Sequence, residues 1–276
     1  MGESSNLLIE GFNFLFSSWW GICIFCLSSI ICLAILIGLI ALFYRKFFKR
    51  FFDILLSGLA IILLSPILIV LVIVGAIAMK GNPFFVQPRP GKINKKTGEE
   101  RIFNLIKFRT MTCEKDSQGK LLPDEKRLNK YGKLLRSTSL DELPELFNIF
   151  IGSMSIVGPR PQLVRDMVFM NEVQRQRHTV RPGLTGLAQV SGRNNIAWEK
   201  KFELDLEYIN KKVTLFGDIK IIFLTVFKVL KRSDTVREGT ASDLDFGDYL
   251  LQEGKITQAT YDEGQQKAKD ILKERK

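Results

Sequence analysis

The 276-residue sequence contains a single histidine and only four cysteines. One histidine excludes a histidine-rich metal centre and most charge-relay triads. Four cysteines are too few for a disulfide-stapled scaffold, and a zinc ribbon is excluded because Cys23, Cys26 and Cys32 lie in an apolar run. The hydrophobic fraction of 46% is that of a folded protein. With histidine scarce, carboxylates are the obvious candidates for chemistry.

Charged residues are absent between Gly11 and Tyr44, and this run is longer than the roughly 20 apolar residues that cross a bilayer. An acidic start without a small-residue cleavage site disfavours a secretory signal peptide. The sequence therefore predicts a retained transmembrane helix within Phe12–Phe43. Basic residues from Arg45 to Arg50 follow it, so the positive-inside rule predicts an external N-terminus and a cytoplasmic chain beyond the helix.

A second uncharged run extends from Ile54 to Met79 and is also long enough to span a membrane. Both of its flanks are basic, which favours cytoplasmic positions for both ends. Ser65-Pro66 interrupts the run, and proline removes a backbone donor and disfavours helix at the preceding residue. These features favour a helix that is broken at Ser65-Pro66 and returns to the same face. The alternative is a kinked helix that spans the membrane.

The remainder predicts a soluble α+β domain that is mostly helical. Phe84–Gln87 and Arg101–Met111 have the composition of two short strands, which would form a hairpin. Helical spacing or composition predicts the following helices: Asp124–Arg136, Leu140–Ile151, Pro161–Arg177, Trp198–Asn210, Phe216–Arg232 and Tyr249–Lys273. Phe216–Arg232 suits a core helix or an amphipathic helix at the membrane interface. The predicted domains are residues 1–45, 46–80, 81–240 and a small helical tail, 241–276.

Two adjacent acids, Asp141 and Glu142, are candidates for chemistry. One interpretation is structural, because Ser139 and Glu142 have the spacing of a capping box at the start of a helix. The other is functional: an aspartate can attack phosphorus as a nucleophile, and a neighbouring carboxylate can hold Mg²⁺ together with substrate phosphates. The two interpretations are compatible, because a capped helix end is a rigid place for an acid.

Basic residues near these acids favour a phosphate-bearing substrate. Arg136 lies five residues upstream, and Arg160 lies on a stiff loop within Gly158-Pro159-Arg160-Pro161. Lys107 and Arg109 belong to a strand-like segment, and Arg193 follows Ser191-Gly192. The net charge of +11 is carried beside apolar runs, which fits an anionic membrane surface better than nucleic acid.

Seven ordered motifs resemble the monotopic phosphoglycosyl transferases, a bacterial sugar transferase family. They are Phe51-Phe52-Asp53, Ser65-Pro66, Gln87-Pro88-Arg89-Pro90-Gly91, Lys107-Phe108-Arg109-Thr110-Met111, Arg136-Ser137-Thr138-Ser139-Leu140-Asp141-Glu142-Leu143-Pro144, Val157-Gly158-Pro159-Arg160-Pro161 and Arg181-Pro182-Gly183-Leu184-Thr185-Gly186. The resemblance covers about Lys49 to Gly239 and is strongest to the small initiating transferases of bacterial N-linked glycosylation.

The resemblance implies that a UDP-sugar gives its phosphosugar to undecaprenyl phosphate, with release of UMP, and that membrane-bound glycan assembly begins there. It implies Asp141 as the nucleophile and Glu142 as a residue tied to Mg²⁺, with Asp141 beside the metal. It also implies phosphate or substrate binding by Arg136, Arg160, Lys107 and Arg193. A re-entrant helix and a catalytic domain on the cytoplasmic face of the bacterial inner membrane are implied as well.

Two segments depart from the small members of that family: the helix at Phe12–Phe43 and the tail after Ser242. The sequence leaves open a homodimer or docking of downstream glycosyltransferases. It also leaves open a membrane scaffold of a glycan-assembly complex that keeps the fold without catalysis, although the intact acidic pair and Arg136 disfavour it. A polytopic transporter is disfavoured because too few spans are predicted.

Overall fold

A computed structural model describes residues 19–192, 196–230 and 244–275, and the chain divides into two units, Met1–Phe48 and Lys49–Lys276. In the first unit, helix α1 (Trp19–Phe43) is followed by a π-helical turn, Tyr44–Phe48. Helix α1 confirms the predicted apolar helix from Trp19 onward, and its predicted start at Phe12 lies outside the described residues. The described helical stretch Trp19–Ala78 is long and apolar enough to cross a membrane, by length and composition.

The second unit begins with helix α2, Lys49–Ala78, which contains Pro66 in its interior. The expected interruption at Ser65-Pro66 is wrong as a break, because the helical backbone continues through both residues. Pro66 has no N–H for the carbonyl of Ile62, and the Ser65 hydroxyl donates a hydrogen bond to that carbonyl at 2.7 Å. This substitution of one donor for another explains how the helix accommodates the proline. The re-entrant path through a membrane stays a prediction.

The predicted hairpin is confirmed, with a first strand that extends beyond Gln87 and a second strand that ends at Phe108 rather than Met111. Strand β1 (Phe84–Ile93) pairs antiparallel with β2 (Glu100–Phe108), and Phe85 lies opposite Lys107. A two-stranded sheet has only edge strands, so β1 tolerates its two prolines, which cannot donate to a ladder. The pairing register shifts between Pro90 and Ile93.

Several predicted helices are shorter than the sequence suggested. The segment 124–136 forms two helices, α3 (Asp124–Arg127) and α4 (Lys130–Thr138), because Asn129 caps the second by accepting a hydrogen bond from Gly132 N. The predicted helix over 161–177 is wrong as one element. In its place are α6 (Val164–Met167), α7 (Glu172–Arg175) and a 3₁₀ turn (Gln176–Thr179).

The remaining helical segments between residues 140 and 230 are α5 (Glu145–Ile151), α8 (Leu187–Ser191), α9 (Trp198–Glu207), a π-helical turn (Tyr208–Lys212) and α10 (Leu215–Leu230).

Two apolar clusters attach α2 to the elements that follow it. In the first, Leu105 of β2 and Ile149 of α5 pack against Ala60, Ile61 and Leu64 of α2. In the second, Leu68 of α2 packs with Phe108 of β2 and Leu135 of α4. Because successive turns of α2 enter both clusters, this helix fixes the positions of β2, α4 and α5 relative to one another.

A second small sheet was not predicted. Strands β3 (Ser155–Val157) and β4 (Gly183–Thr185) pair in parallel, and they lie beside the cluster that contains Val157, Tyr208 and Ile221. Three-residue strands carry no measurable periodicity, so neither β3 nor β4, which lies in the turn-rich segment 182–192, could be predicted. A Cβ on Gly183 would lie 2.1 Å from Gly158 N, so the close approach of these two backbones requires glycine.

The C-terminal segment is part of the core of the second unit rather than a small appendage. It forms α11 (Phe246–Gln252) and α12 (Gln258–Glu274). Phe246 is buried against Trp198 and Phe202, and Ala268 is buried against Val164 and Met167. These long-range contacts cannot be read from helical periodicity alone.

Candidate active site

The two adjacent acids lie on a 3₁₀ turn, Leu140–Glu142, between α4 and α5. Ser139 has a φ of 56°, in the left-handed region, and ends α4 by donating its N–H to the carbonyl of Arg136. The predicted capping box is wrong: the Ser139 side chain makes no capping bond, and Ser139 is the C-cap of α4. Leu140 and Leu143 pack into the cluster around Leu68, and they fix the turn on both sides of the acids.

Glu142 is held by two cations. Its Oε1 atom accepts hydrogen bonds from Lys107 Nζ at 2.9 Å and from Arg160 Nη2 at 2.7 Å. Burial alone would raise the pKa of the Glu142 carboxyl, but Arg160 and Lys107 outweigh it and lower that pKa well below its usual range. In turn, Glu142 raises the pKa of the Arg160 guanidinium. The Glu142 carboxylate therefore stays ionised and fixed in direction.

The Asp141 carboxylate accepts no hydrogen bond from any other side chain among the residues that the structure describes. Burial raises its pKa, and the neighbouring charge of Glu142 raises it further, while Lys107 and Arg160 act in the opposite direction. A carboxylate that is partly desolvated and has no hydrogen-bonded cation on it is the more nucleophilic of the pair. The two adjacent acids thus have distinct environments, which the sequence did not reveal.

A third carboxylate, Glu145, belongs to the same cluster and was missed by the sequence analysis. It is 1% exposed, and its Oε1 lies 3.0 Å from Lys107 Nζ without the alignment of a hydrogen bond. Burial raises the pKa of Glu145 to about 6, although Lys107 opposes the shift. Its spacing three residues after Glu142 places it on the same side of a helical turn, and that spacing could have identified it.

Lys107 reaches the acids because α5 is bonded to strand β2. The Asn148 side chain accepts from Ile106 N at 3.0 Å and donates to the carbonyl of Asn104 at 2.7 Å. Asn148 is 1% exposed, so these bonds satisfy a buried amide that has no access to water. In this way one side chain sets the spacing between the strand that carries Lys107 and the helix that carries Glu145.

Among the described residues, Arg136 and Arg109 form no hydrogen bond or ion pair with the acidic pair. Arg136 Nε donates to Thr110 Oγ1 at 3.1 Å, which places its guanidinium at the junction of α4 with the end of β2. Arg109 donates its backbone N–H to the carbonyl of Pro83. Arg193 lies outside the described residues. Phosphate or substrate binding by Arg136 and Arg193 therefore stays a prediction.

Residues 44–232 match the model of a protein family described as bacterial sugar transferase. The chain belongs to this family. The match contains the 3₁₀ turn with Asp141 and Glu142, as well as Lys107, Glu145 and Arg160, so the whole cluster described above lies within the family region.

Curated relatives within the family differ in length from this chain. An uncharacterized sugar transferase EpsL of Bacillus subtilis (strain 168) is 54% identical over 151 residues, covering 54% of this chain and 71% of EpsL. The UDP-glucose:undecaprenyl-phosphate glucose-1-phosphate transferase of Klebsiella pneumoniae is 43% identical over 196 residues, covering 66% of this chain and 40% of the relative. The galactosyl transferase CpsE of Streptococcus agalactiae serotype III (strain NEM316) is 39% identical over 197 residues, covering 66% of this chain and 42% of CpsE. This chain spans about two fifths of the length of the last two relatives.

A bacterial sugar transferase of this kind was expected to use Mg²⁺, so the donor atoms at the site matter. Within the described ranges, no three His, Cys, Asp or Glu side chains form a complete metal site. The residues nevertheless fit Mg²⁺, which usually takes one or two protein carboxylates and completes its shell with water and substrate phosphates. Both hydrogen bonds to Glu142 go to Oε1, so Oε2 remains available as a donor atom one residue from Asp141 in the sequence.

Proposed function

We propose that this bacterial sugar transferase moves a phosphosugar from a UDP-sugar to a polyprenyl phosphate such as undecaprenyl phosphate. The transfer would proceed through a covalent intermediate on Asp141 and release UMP. One relative is named for transfer of glucose 1-phosphate from UDP-glucose to undecaprenyl phosphate, which supports the reaction class. The single observation that carries the residue assignment is the contrast between Asp141, without a hydrogen-bonded cation, and Glu142, held by two.

In the first step, an Asp141 carboxylate oxygen attacks the phosphorus that bears the sugar. A bond forms between that oxygen and phosphorus, and the bond from phosphorus to the oxygen of UMP breaks, so UMP leaves with the electron pair. No proton has to move, because the attacking group is already ionised. Lys107 and Arg160 lie next to the attacking carboxylate and would neutralise charge on the phosphoryl oxygens in the transition state.

In the second step, a phosphate oxygen of the polyprenyl phosphate attacks the same phosphorus. The bond to the Asp141 oxygen breaks, the carboxylate is restored, and the sugar remains on a polyprenyl diphosphate. One phosphate-binding site thus serves both steps, which suits a compact cluster with few cations. Catalysis would then consist mostly of positioning and charge neutralisation.

Glu142 through Oε2, together with Asp141, would hold Mg²⁺ at the donor phosphates. When bound, Mg²⁺ supplies charge neutralisation for the diphosphate and its leaving group. Lys107 and Arg160 keep the Glu142 carboxylate ionised and directed, which preserves a metal-binding oxygen beside the nucleophile. Glu145, through its contact with Lys107, limits the net positive charge of the cluster.

The contacts of α2 support a re-entrant membrane path. Near its start, Arg50 donates to the carbonyls of Ile149 and Phe150 at 2.6 and 2.8 Å. At its end, Asn129 Nδ2 donates to the carbonyl of Ala78 at 3.0 Å. Because both ends of α2 are bonded to one domain, both ends would lie on one side of the membrane. We therefore propose that the catalytic domain is on the cytoplasmic face of the inner membrane.

An apolar groove beside the acidic turn supports a lipid acceptor. Its lining comes from α2, from the hairpin and from the segment just after Glu142: Leu68, Ile69, Val72, Ile73, Phe84, Phe108, Pro144 and Phe147. Pro144 is three residues from Asp141, so a phosphate at Asp141 could lead directly into a chain held along the groove. We propose that the first isoprene units of the acceptor lie there.

The experiment that tests this function is a UMP-release assay across a panel of UDP-sugars, with undecaprenyl phosphate and Mg²⁺. At least one UDP-sugar should support turnover, and Asp141→Asn should abolish it while leaving folding and membrane association intact. Glu125→Gln, at an exposed acid of α3, is the matched control and should keep full turnover. No UMP from any donor would favour a scaffold without catalysis, and near-normal turnover by Asp141→Asn would refute the nucleophile.

Topology is tested separately by cysteine labelling in a background without the four native cysteines. Lys46→Cys and Lys80→Cys place thiols at exposed positions before and after α2. A re-entrant helix predicts that a membrane-impermeant reagent labels both thiols from the cytoplasmic side only. Labelling from opposite sides would show that α2 spans the membrane.

A further inference from the structure

The loop that carries Arg160 is held by its backbone, through two other arginines. Arg177 Nη2 donates to the carbonyl of Arg160 at 2.8 Å, and Arg89 Nη1 donates to the carbonyl of Pro161 at 3.0 Å. The Arg160 side chain itself is 44% exposed, so packing around it contributes little to its direction. Two consecutive carbonyls held by guanidinium groups would restrict the backbone from which the Arg160 side chain reaches Glu142.

Arg177 is rigid because it is buried and paired. It is 2% exposed, and it donates to Asp205 Oδ2 through Nε at 3.0 Å and through Nη2 at 2.7 Å. Its guanidinium also lies 5.8 Å from the centre of the Phe202 ring. Burying an ion pair is expensive and contributes little to stability by itself. Here the same Nη2 atom that binds Asp205 also reaches the Arg160 carbonyl, so the pair anchors the loop.

Arg89 reaches the loop from the hairpin. Its Nη2 donates to Gln87 Oε1 at 2.6 Å, which holds the guanidinium flat along β1. Burial, together with the charge of Arg160, lowers the pKa of Arg89 to about 10. The two guanidinium groups therefore repel each other across the loop. The hydrogen bond from Arg160 to the Glu142 carboxylate offsets this repulsion.

We propose that Arg89 and Arg177 are positioning residues of the transfer reaction. They hold the carbonyls of Pro161 and Arg160, and so keep the Arg160 guanidinium on Glu142 beside the nucleophile. The inference rests on the proposed function of Asp141 and Glu142. Neither residue needs to touch either substrate, so each acts only through Arg160.

A double-mutant cycle tests this assignment, because a residue that acts through Arg160 loses its effect once Arg160 is changed. Lysine keeps the charge and removes the planar fork that reaches two acceptors, so Arg→Lys is the informative change. Arg89→Lys should lower kcat/KM about tenfold in the wild-type background, the loss of one charge-assisted hydrogen bond. In the Arg160→Lys background, Arg89→Lys should change kcat/KM less than about twofold. Arg101→Lys, at an exposed arginine of β2, is the control and should have no effect in either background.

The same cycle with Arg177→Lys should give the same pattern. The fluorescence of buried Trp198, in a background with the exposed Trp19 and Trp20 replaced by phenylalanine, reports whether each variant folds. If Arg177→Lys does not fold, the double-mutant cycle with Arg89→Lys alone decides whether the positioning role holds. Equal losses from Arg89→Lys in both backgrounds, or no loss in the wild-type background, would overturn the positioning role.

A readout that needs no turnover separates this inference from the proposed function. Thermal unfolding provides this readout. In the wild-type background, Arg160→Lys should lower the melting temperature by several degrees. In the Arg89→Lys background, the same change should lower the melting temperature by less than half of that amount. Equal shifts would overturn the positioning role even if no UDP-sugar supports turnover. Conversely, a wild type that releases no UMP but shows the unequal shifts would refute the proposed function and leave the loop anchor standing.

Discussion

Replacing Glu145 by glutamine should change how the stability of the protein depends on pH. The carboxyl is 1% exposed, and burial raises its folded-state pKa from 4.5 to about 6. The stabilisation associated with the protonated form is complete below pH 4.5 and is lost as the pH rises through 6. A shift of that size corresponds to about 2 kcal/mol. Glutamine has the same shape and does not titrate, so the variant should lack this loss.

The assay is urea unfolding of the detergent-solubilised protein at pH 4.5 and pH 7.5, followed by the fluorescence of buried Trp198 in a background with the exposed Trp19 and Trp20 replaced by phenylalanine. The free energy of unfolding of Glu145→Gln, relative to wild type, should rise by about 2 kcal/mol between the two pH values. Parallel curves for the variant and the wild type would refute the reasoning, because they would mean that Glu145 ionises as easily in the folded chain as in the unfolded one.

A second buried glutamate provides a control of opposite sign. Burial would raise the pKa of Glu100, but hydrogen bonds from His178 and Arg175 outweigh it and lower it to about 2. Its stabilisation is present above pH 4.5 and is lost as the pH falls toward 2. Glu100→Gln should therefore be less stable than wild type at neutral pH, and this deficit should shrink under acid. If the stability deficit of Glu100→Gln grew under acid, the result would contradict a lowered pKa for Glu100 in the folded protein.

Substitutions at three further positions test how the site is built. Asn148→Ala should cost about 1–3 kcal/mol of unfolding free energy, because the buried Asn148 side chain loses its bonds to two partly buried backbone groups of β2; a cost near zero in urea titrations would contradict the bridging role. Ser139→Val should cost roughly 1–2 kcal/mol, and Ser139→Gly should be near neutral, since the residue is left-handed; equal costs would argue against that conformation. Gly183→Ala should cost about 1–3 kcal/mol, because its Cβ would meet Gly158 N at 2.1 Å, and unchanged thermal stability would contradict the close approach.

Elements with strong patterns were predictable from the sequence, whereas the geometry that joins them was not. The apolar composition of α1 and α2 and the alternating hairpin strands identified three major elements. The motif resemblance also assigned Lys107 and Arg160 to one site with the acids, and in the structure both side chains donate hydrogen bonds to Glu142. Patterns within single segments were sufficient to predict the two apolar helices and the hairpin, and the ordered motifs were sufficient to assign Lys107 and Arg160 to the site of the acids.

Local signals failed where long-range contacts decide the outcome. Ser139 has the sequence of an N-cap, but the cluster that holds Leu140 and Leu143 fixes the chain as a left-handed turn followed by a 3₁₀ segment. Glu145 was not predicted, because its burial depends on α5 packing against β2. The role of Arg177 depends on Asp205, which lies 28 residues further along the chain. No pattern in a single sequence encodes these distances.

The central claim is that Asp141 forms a covalent bond to the sugar-bearing phosphorus of the donor, and peptide mass spectrometry tests it most directly. The full-length protein is incubated with UDP-sugar and Mg²⁺ in the absence of lipid acceptor, quenched and digested. The account predicts a phosphosugar adduct on the peptide that contains Asp141, its absence in Asp141→Asn, and its disappearance when undecaprenyl phosphate is added. An absence of adduct under conditions that support turnover, or an adduct on another residue, would contradict the account.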